Sequence, residues 1–335
     1  MLNAHESDER SRADRLLLES APIAVLDGAA AVAGAVGAET VICYLNEADD
    51  GLREHLRAAA DAAEGLPVDI EIATGPDRYL AGEPTVALEA MEGADRLEPR
   101  LQPPGPATHG LYGRPTVLHT PRTFAQVRAA LAAPEAFDTG ADDPGTRLVS
   151  VTGDVEAPAV VELPTDGTLA ASRETVSVDG QFKMACVGGA LGGLTRDLSV
   201  PPSAPALRSA SLGTDGVVEL FADHRCPLAV AGERVQFAAE ENSGRCVPGR
   251  EGTVQMSELL REIYDGTVEA EKLRELGRVM RRSANCQIGA QAPRPALTAV
   301  EKFSSEVRAH ADGRCPSGAC ERTRERPSGS RGGPV

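Results

Sequence analysis

The sequence predicts an α/β body followed by an all-α region. Helical and strand patterns alternate up to residue 73, which is the order of an α/β fold. Short alternating strands and glycine turns follow a Pro-, Gly- and Asp-rich stretch at residues 133–146. Three amphipathic helical patterns joined by short loops come next, and they predict an antiparallel helical bundle.

The first unit begins with a helix expected at residues 21–36. It is apolar on nearly all sides, so we expect it to be buried, and Gly37 ends it. Residues 41–45 form an apolar run typical of a strand covered on both faces. An amphipathic helix at 49–63 and an alternating strand at 68–73 follow. Together these patterns predict an α/β domain over residues 1–135.

The second unit begins with residues 148–153 and 159–163, which alternate like a hairpin. A short helix at 168–173 and a strand at 182–187 complete a strand–strand–helix–strand order that suits a small β-grasp fold. We therefore expect a β-grasp (ubiquitin-like) domain over residues 146–222. Its glycine cluster is either a phosphate loop or a set of turns. Since no Lys-Ser/Thr follows it, a P-loop is excluded, and we interpret these glycines as structural.

The helical patterns lie at residues 253–264, 269–281 and 296–311. They predict a bundle domain over residues 223–312. Residues 313–335 are predicted to be a cysteine-containing, disordered tail, because the last part is rich in Arg, Pro, Ser and Gly.

The formal charge of −16 excludes nucleic acid and anionic membrane faces as partners, because both require clustered cations. The acidic, Lys-poor, Ala-rich composition without Trp indicates a halophilic source, with an ordinary acidic cytosolic protein as the alternative. No apolar run approaches the roughly 18 residues of a membrane helix, and the start has no signal pattern. We therefore expect a cytoplasmic protein without direct membrane insertion.

The seven cysteines are an odd number without disulfide-framework spacing, and most are expected to be small buried hydrophobes. His310, Cys315 and Cys320 are different, since one imidazole and two thiols within eleven residues can supply three ligands to zinc. The fourth ligand would come from a neighbouring helix or water. The alternative is that these are two cysteines at a frayed helix end.

A further cysteine lies in Glu-Asn-Ser-Gly-Arg-Cys-Val-Pro-Gly-Arg-Glu-Gly, residues 241–252. A cysteine in a Gly-rich loop before a helix suits a metal or cluster. This loop resembles the Ser-Cys-Gly-x-Cys-x-Pro-Cys-Arg-x-Gly loop in the NADH-binding flavoprotein subunit of respiratory complex I. Related subunits occur in NAD-linked hydrogenases and formate dehydrogenases.

The resemblance implies that Cys246 and Cys286 correspond to two of the four ligands of a [4Fe–4S] cluster. Ser243 and Gly249 stand where the other two cysteines would be. We therefore expect no stable cluster of the family type, with Cys246 and Cys286 close together as vestigial neighbours.

The resemblance extends from the N-terminus to Cys320. The opening Asn-Ala-His-Glu-Ser-Asp-Glu looks like the family's Asn-Ala-Asp-Glu-Ser-Glu-Pro-Gly, and residues 79–85 look like its Tyr-Ile-Cys-Gly-Glu-Glu-Thr. Read alone, residues 79–85 are an ordinary helix start. By resemblance they line an FMN and nicotinamide pocket in a partial Rossmann-like flavin domain. The matching positions are Asn3, Glu6, Tyr79, Gly82 and Glu83.

Two flavin elements of the family have no counterpart here. The Gly-Arg-Gly-Gly-Ala-Gly-Phe-Pro loop around the FMN phosphate would precede Met1, so either the start is truncated or FMN has been given up. Where the family has Asn-Asn-Val-Glu-Thr, this chain has His-Thr-Pro-Arg-Thr at 119–123. We expect the chain expressed from Met1 not to hold FMN tightly.

The family's chemistry is hydride transfer from NADH to FMN, followed by electron passage to the [4Fe–4S] cluster. The resemblance implies that the partners are other subunits of a redox or respiratory complex, peripheral to a membrane complex in some cases. Because both sites depart from the pattern, we predict a diverged NADH dehydrogenase homologue with impaired catalysis. The alternative is a non-catalytic scaffold or regulatory subunit of a redox assembly.

Overall fold

A computed structural model describes residues 1–63, 65–100, 103–137, 142–266 and 270–320. It contains two β-sheets and a set of packed helices, which confirms the predicted combination of α/β and all-α structure.

The first sheet is parallel, with strand order β1-β2-β3. The elements of this part are β1 (Leu2–Asn3), α1 (Ala13–Ser20), α2 (Pro22–Val36), β2 (Thr40–Asn46), α3 (Asp50–Ala62), β3 (Asp69–Gly75), α4 (Pro84–Met91) and α5 (Pro121–Ala132). Helix α2 packs closely on α5, since a β-carbon on Gly28 would lie 2.0 Å from the Phe124 carbonyl oxygen. This helix and strands β2 and β3 confirm the order of elements predicted for residues 21–73. The burial expected for the first helix is wrong for one of its sides, where Ile23 and Val36 are exposed.

The second sheet is mixed, with strand order β5-β4-β8-β6-β7. Its elements are β4 (Thr146–Gly153), β5 (Ala159–Pro164), α6 (Ala170–Glu174), β6 (Phe182–Val187), β7 (Gly193–Thr195), α7 (Ala204–Ser209) and β8 (Val217–Ala222). The β4–β5 hairpin is as expected. The last strand, β8, lies between β4, to which it is parallel, and β6, to which it is antiparallel.

The glycine cluster after β6 forms a tight turn. Gly188 and Gly189 have φ angles of 104° and 66°, in the left-handed region that favours glycine. The amide of Ala190 donates a hydrogen bond of 3.0 Å to the Asp8 carboxylate. The turn therefore binds an acid of its own chain, in agreement with a structural role.

The helical part comprises α8 (Pro227–Glu241), a π-helical turn (Pro248–Gly252), α9 (Thr253–Tyr264), α10 (Ala270–Ser283), α11 (Gln287–Gln291), α12 (Pro293–Lys302) and α13 (Ser304–Ala311). The prediction of a single helix at residues 296–311 is wrong. It is two helices separated by Phe303, whose backbone leaves the helical region at φ −122° and ψ 39°. Phe303 is fully buried with the Arg196 guanidinium over its ring, so its packing fixes the break.

The predicted disorder does not apply to residues 313–320, which fold against the bundle and bury Cys320 to 7% exposure. The prediction for residues 321–335 lies outside the described residues. Within the described ranges, no single helix has both the length and the apolar character to span a bilayer. Helices α1 and α2 have the required length and apolar character only when taken as a pair, and their axes are bent by 98° at the break between them.

Candidate functional site

A cleft of about 820 Å³ lies between the first unit and the mixed sheet. This volume is in the range of small-molecule and cofactor sites. All five residues inferred from the resemblance line its wall: Asn3, Glu6, Tyr79, Gly82 and Glu83. The fold thus brings together two segments almost eighty residues apart, and ligand binding by them stays a prediction.

Hydrogen bonds between residues of the chain itself hold one end of the cleft together. The Asn3 amide donates to the Gly82 carbonyl at 2.9 Å, and its oxygen accepts from the His5 amide at 3.3 Å. The His5 imidazole lies 2.9 Å from the Pro76 carbonyl and stacks on Tyr44. A β-carbon on Gly82 would lie 3.2 Å from the His5 carbonyl, so these two segments approach each other closely.

Glu83 and Tyr79 also have structural tasks. The Glu83 carboxylate accepts from the amides of Thr85 and Val86 and from the Thr85 hydroxyl, which caps the N-terminus of α4. Tyr79 packs edge-on against Phe237, with ring centroids 5.0 Å apart, and burial raises the pKa of its phenol. Residues 79–85 therefore form an ordinary helix start and also line the cleft, as the two interpretations of the sequence expect.

Glu6 is the member of the set with an altered acidity. Burial raises the pKa of its carboxyl to about 7, the nearby Asp14 and Asp8 add to this, and a hydrogen bond from Ser11 opposes it. Because its pKa is near neutrality, Glu6 changes its charge in the range where proton transfer is useful to enzymes.

The two arginines in the cleft wall are already paired. Arg122 forms two bonds to the Asp14 carboxylate, of 2.8 and 3.0 Å, and donates to the Asp215 carbonyl at 3.0 Å. Arg147 pairs with Asp143 at 2.7 Å. A nucleotide phosphate needs amide or arginine donors. Both guanidinium groups of the described cleft wall are therefore engaged with acids of the chain, and the buried Arg147 Nε is left without a hydrogen-bond partner.

The segments that carry Cys246 and Cys286 both pack against Gly249. The Gly249 amide lies 3.4 Å from the Cys246 sulfur. Helix α11, which begins directly after Cys286, also packs against Gly249, since a β-carbon on Gly289 would be 3.5 Å from the Gly249 nitrogen. Burial raises the pKa of the Cys286 thiol, and backbone amides that include Gly289 oppose this.

This pocket does not fit a [4Fe–4S] cluster, which takes one thiolate per iron. Gly249 offers no side chain, and the Ser243 hydroxyl accepts a hydrogen bond from the Arg245 amide in the loop. Within the described ranges, one group of three or more potential metal ligands is present, and it does not include Cys246 or Cys286.

That group combines Cys226 with the three tail residues predicted from the sequence, His310, Cys315 and Cys320. The four ligand atoms all lie within 4.8 Å of one another. The sequence did not indicate Cys226, which lies 84 positions before His310 and reaches it only because the start of α8 packs against the end of α13. The one signal available was a cysteine directly before the Pro227 helix start.

Two family models match the parts of the chain that contain the cleft and the helical bundle. Residues 1–129 match the family described as the Nuo51 FMN-binding domain, and residues 229–310 match the NADH-ubiquinone oxidoreductase-F iron-sulfur binding region. The fold and the matches define the class of NAD-linked redox subunits. The chain belongs to the NADH-quinone oxidoreductase F family, which includes the related subunits of NAD-reducing hydrogenases.

Among the relatives, NADH-quinone oxidoreductase F 2 of Rhizobium meliloti is 31% identical over 344 residues, covering 94% of this chain and 80% of the relative. The NADP-reducing hydrogenase subunit HndC of Solidesulfovibrio fructosivorans is 29% identical, covering 95% of this chain and 70% of the relative. A solved NAD+-reducing [NiFe]-hydrogenase in the H2-reduced state superposes with a TM-score of 0.82 at 30% identity. This match covers 92% of our chain and 56% of the solved chain, so the protein spans just over half of that solved chain.

Proposed function

We propose that the chain is a subunit of a multi-subunit redox complex. Its cleft takes the ring of a nicotinamide or flavin nucleotide, and no [4Fe–4S] cluster relays electrons from it. The names of the relatives support the assembly, since they are components of NADH-quinone oxidoreductases and hydrogenases. The observation that carries the loss of the relay is Gly249, which stands beside Cys246 without a ligand atom.

The cleft supports weakened cofactor binding. FMN, when bound, supplies the hydride acceptor in this family, and the protein positions it. Here the Glu6 carboxyl faces the cleft, while Arg122 and Arg147 are occupied by acids. We propose that NADH and FMN bind through their rings with reduced affinity and that NADH oxidation is impaired.

The domain assignment is part of the same proposal. The first unit, residues 1–135, corresponds to a partial Rossmann-like flavin domain. The second, residues 146–222, is a β-grasp module, supported by the hairpin and by the last strand lying between the first and third. Residues 223–312 form the iron–sulfur type of bundle without its cluster.

A scaffold without catalysis is the second candidate. It is favoured by the hydrogen bonds of the cleft wall, where Asn3, Glu83 and Arg122 all serve the protein itself. These three side chains are bonded within the protein itself, so the folded body is available as an interaction surface in an assembly.

Anaerobic reconstitution with iron and sulfide tests the missing relay. We expect far fewer than the roughly four irons per chain of a [4Fe–4S] protein, and no reduced-cluster EPR signal after dithionite. About four irons, with a signal that disappears in Cys246→Ala, would overturn the proposal.

Calorimetric titration of the same preparation with NADH and with FMN distinguishes the redox subunit from the scaffold. Binding of either nucleotide that weakens in Glu6→Ala supports the redox subunit. Absence of binding by both nucleotides supports the scaffold. Glu47→Ala, a change of an exposed acid outside the cleft wall, is the matched control.

A further inference from the structure

We propose that Cys226, His310, Cys315 and Cys320 form a closed zinc centre that fastens residues 313–320 to the helical bundle. This centre is independent of the flavin cleft and of the Cys246 pocket, so it does not rest on the function proposed above. Its four ligand atoms come from the start of α8, the end of α13 and the segment that follows α13.

The distances agree with a tetrahedral ion. The His310 Nε2 atom lies 3.5 Å from the Cys226 sulfur and 3.6 Å from the Cys320 sulfur. Zinc with bonds of about 2.3 Å to sulfur and about 2.0 Å to nitrogen places its ligand atoms roughly 3.5 to 3.8 Å apart. These two distances are therefore at the spacing that an ion would impose, and the remaining ligand atoms, within 4.8 Å of one another, close around it with small side-chain movements.

The imidazole is oriented for ligation. His310 Nδ1 lies 2.7 Å from the Glu306 carbonyl oxygen, so Nδ1 carries the proton and donates it in this hydrogen bond. Nε2 then directs its lone pair towards the thiols. Metal-binding histidines are commonly fixed in this way by a carbonyl on the other nitrogen. The Tyr264 ring, with its centroid 4.7 Å away, packs against the imidazole.

The cysteine segment is held by contacts outside the four ligands. Lys183 donates to the Glu306 carboxylate at 2.9 Å and to the Ser317 hydroxyl at 2.5 Å. Ser317 in turn donates to the Arg225 carbonyl at 2.8 Å, directly before Cys226. Arg196 completes the pairing of Glu306 at 2.9 Å. These bonds place the segment between Cys315 and Cys320 against the residue that precedes the fourth ligand.

The ligand set selects the metal. Three sulfurs and one imidazole nitrogen are a typical structural zinc set, and four protein ligands leave no open position for catalysis. Cys226, His310 and Cys320 are buried at 1%, 3% and 7% exposure, while Cys315 is partly exposed. The ion therefore enters from the Cys315 side, and the thiols release their protons as it binds.

Elemental analysis of the full chain, purified under reducing conditions, tests the centre. We expect about one zinc per chain in the wild type and less than about one fifth of that in Cys226→Ser. Cys246→Ser is the matched control, because it removes a thiol that the centre does not use. Equal zinc in the wild type and Cys226→Ser would overturn the proposal. So would a metal-free wild type with a Cys226–Cys320 disulfide.

A second measurement covers the case in which Cys226→Ser fails to fold. In the wild type, a chelator should accelerate tryptic cleavage after Arg314 while the far-UV circular dichroism stays constant, since the ion holds the segment that carries this bond. Cobalt loading should give the visible bands of a tetrahedral thiolate site, and these should be weaker in Cys315→Ser, at the partly exposed position. Trypsin cleavage unaffected by the chelator, or cobalt bands unchanged in Cys315→Ser, would contradict the assignment.

Discussion

Replacing Gly249 with cysteine, together with Ser243→Cys, restores the number of thiols that a [4Fe–4S] cluster requires. The structure accepts the first change. A β-carbon on Gly249 meets the Cys246 sulfur at 3.5 Å and Asn242 at 3.7 Å, which are ordinary contacts. Gly249 also lies in a helical turn without a left-handed φ angle. Because glycine is the least favourable residue in a helix after proline, about 1 kcal/mol worse than alanine, we expect no loss of stability.

The expected effect on iron content is large. The wild type offers Cys246 and Cys286, whereas the double variant offers four thiolates, one for each iron. After anaerobic reconstitution we expect about four irons per chain and a reduced-cluster EPR signal in the double variant. Gly232→Cys is the matched control, since it adds a thiol in open space on α8.

Two outcomes would refute this reasoning. If the folded double variant binds no more iron than Gly232→Cys, the pocket has lost its cluster geometry as well as its ligands. If the wild type binds as much iron as the double variant, Gly249 and Ser243 are not the reason for the loss. Circular dichroism of each variant establishes that the chain is folded.

Two further predictions concern the charged groups of the cleft. The folded pKa of Glu6 is about 7 against an ordinary 4.5, so its contribution to stability is complete below pH 4.5 and is lost as pH rises through 7. Glu6→Gln should therefore raise the free energy of unfolding by up to about 3 kcal/mol at pH 8 and leave it unchanged at pH 4. Urea unfolding measures this free energy, and an equal effect of the substitution at both pH values would contradict the prediction. Asp14→Ala leaves Arg122 without its carboxylate partner and should cost about 3 kcal/mol. Asp27→Ala breaks an exposed pair with Arg128, which lies on α5 like Arg122, and should cost less than about 1 kcal/mol. Similar losses in the two aspartate variants, measured by urea unfolding, would contradict the difference in burial.

The parts of the fold that the sequence predicts are those with a strong local pattern. Helix α2 is apolar except for Asp27 and ends at a glycine, and β2 and β3 are apolar or alternating runs of seven residues. The break at Phe303 has no such pattern, because the helical periodicity continues through it and only tertiary packing interrupts it. Strand β7 has three residues, too few for an alternation to be recognised.

The same distinction applies to the sites. His310, Cys315 and Cys320 lie within eleven residues, so their spacing alone indicates a metal site. Cys226 joins them through the packing of the start of α8 against the end of α13, which no local pattern reveals. In the cleft, the sequence places Glu83 by resemblance. The structure adds that its carboxylate caps α4, a task that the resemblance does not contain.

The polar groups of the cleft differ in what they do for the fold, and this difference bears on function. Asp14 and Arg122 join α1 to α5, and Ser150 of β4 accepts from the amides at the start of α1, so these groups hold the two units together. Glu6 does the opposite, because its carboxyl faces the cleft beside Asp8 and Asp14 and is destabilising when ionised. A body kept only as a scaffold gains stability by replacing such a group with a neutral one. Destabilising polar groups are typical of sites that act on a ligand. The position of Glu6 therefore favours a cleft that still binds a nucleotide ring over a scaffold without a ligand.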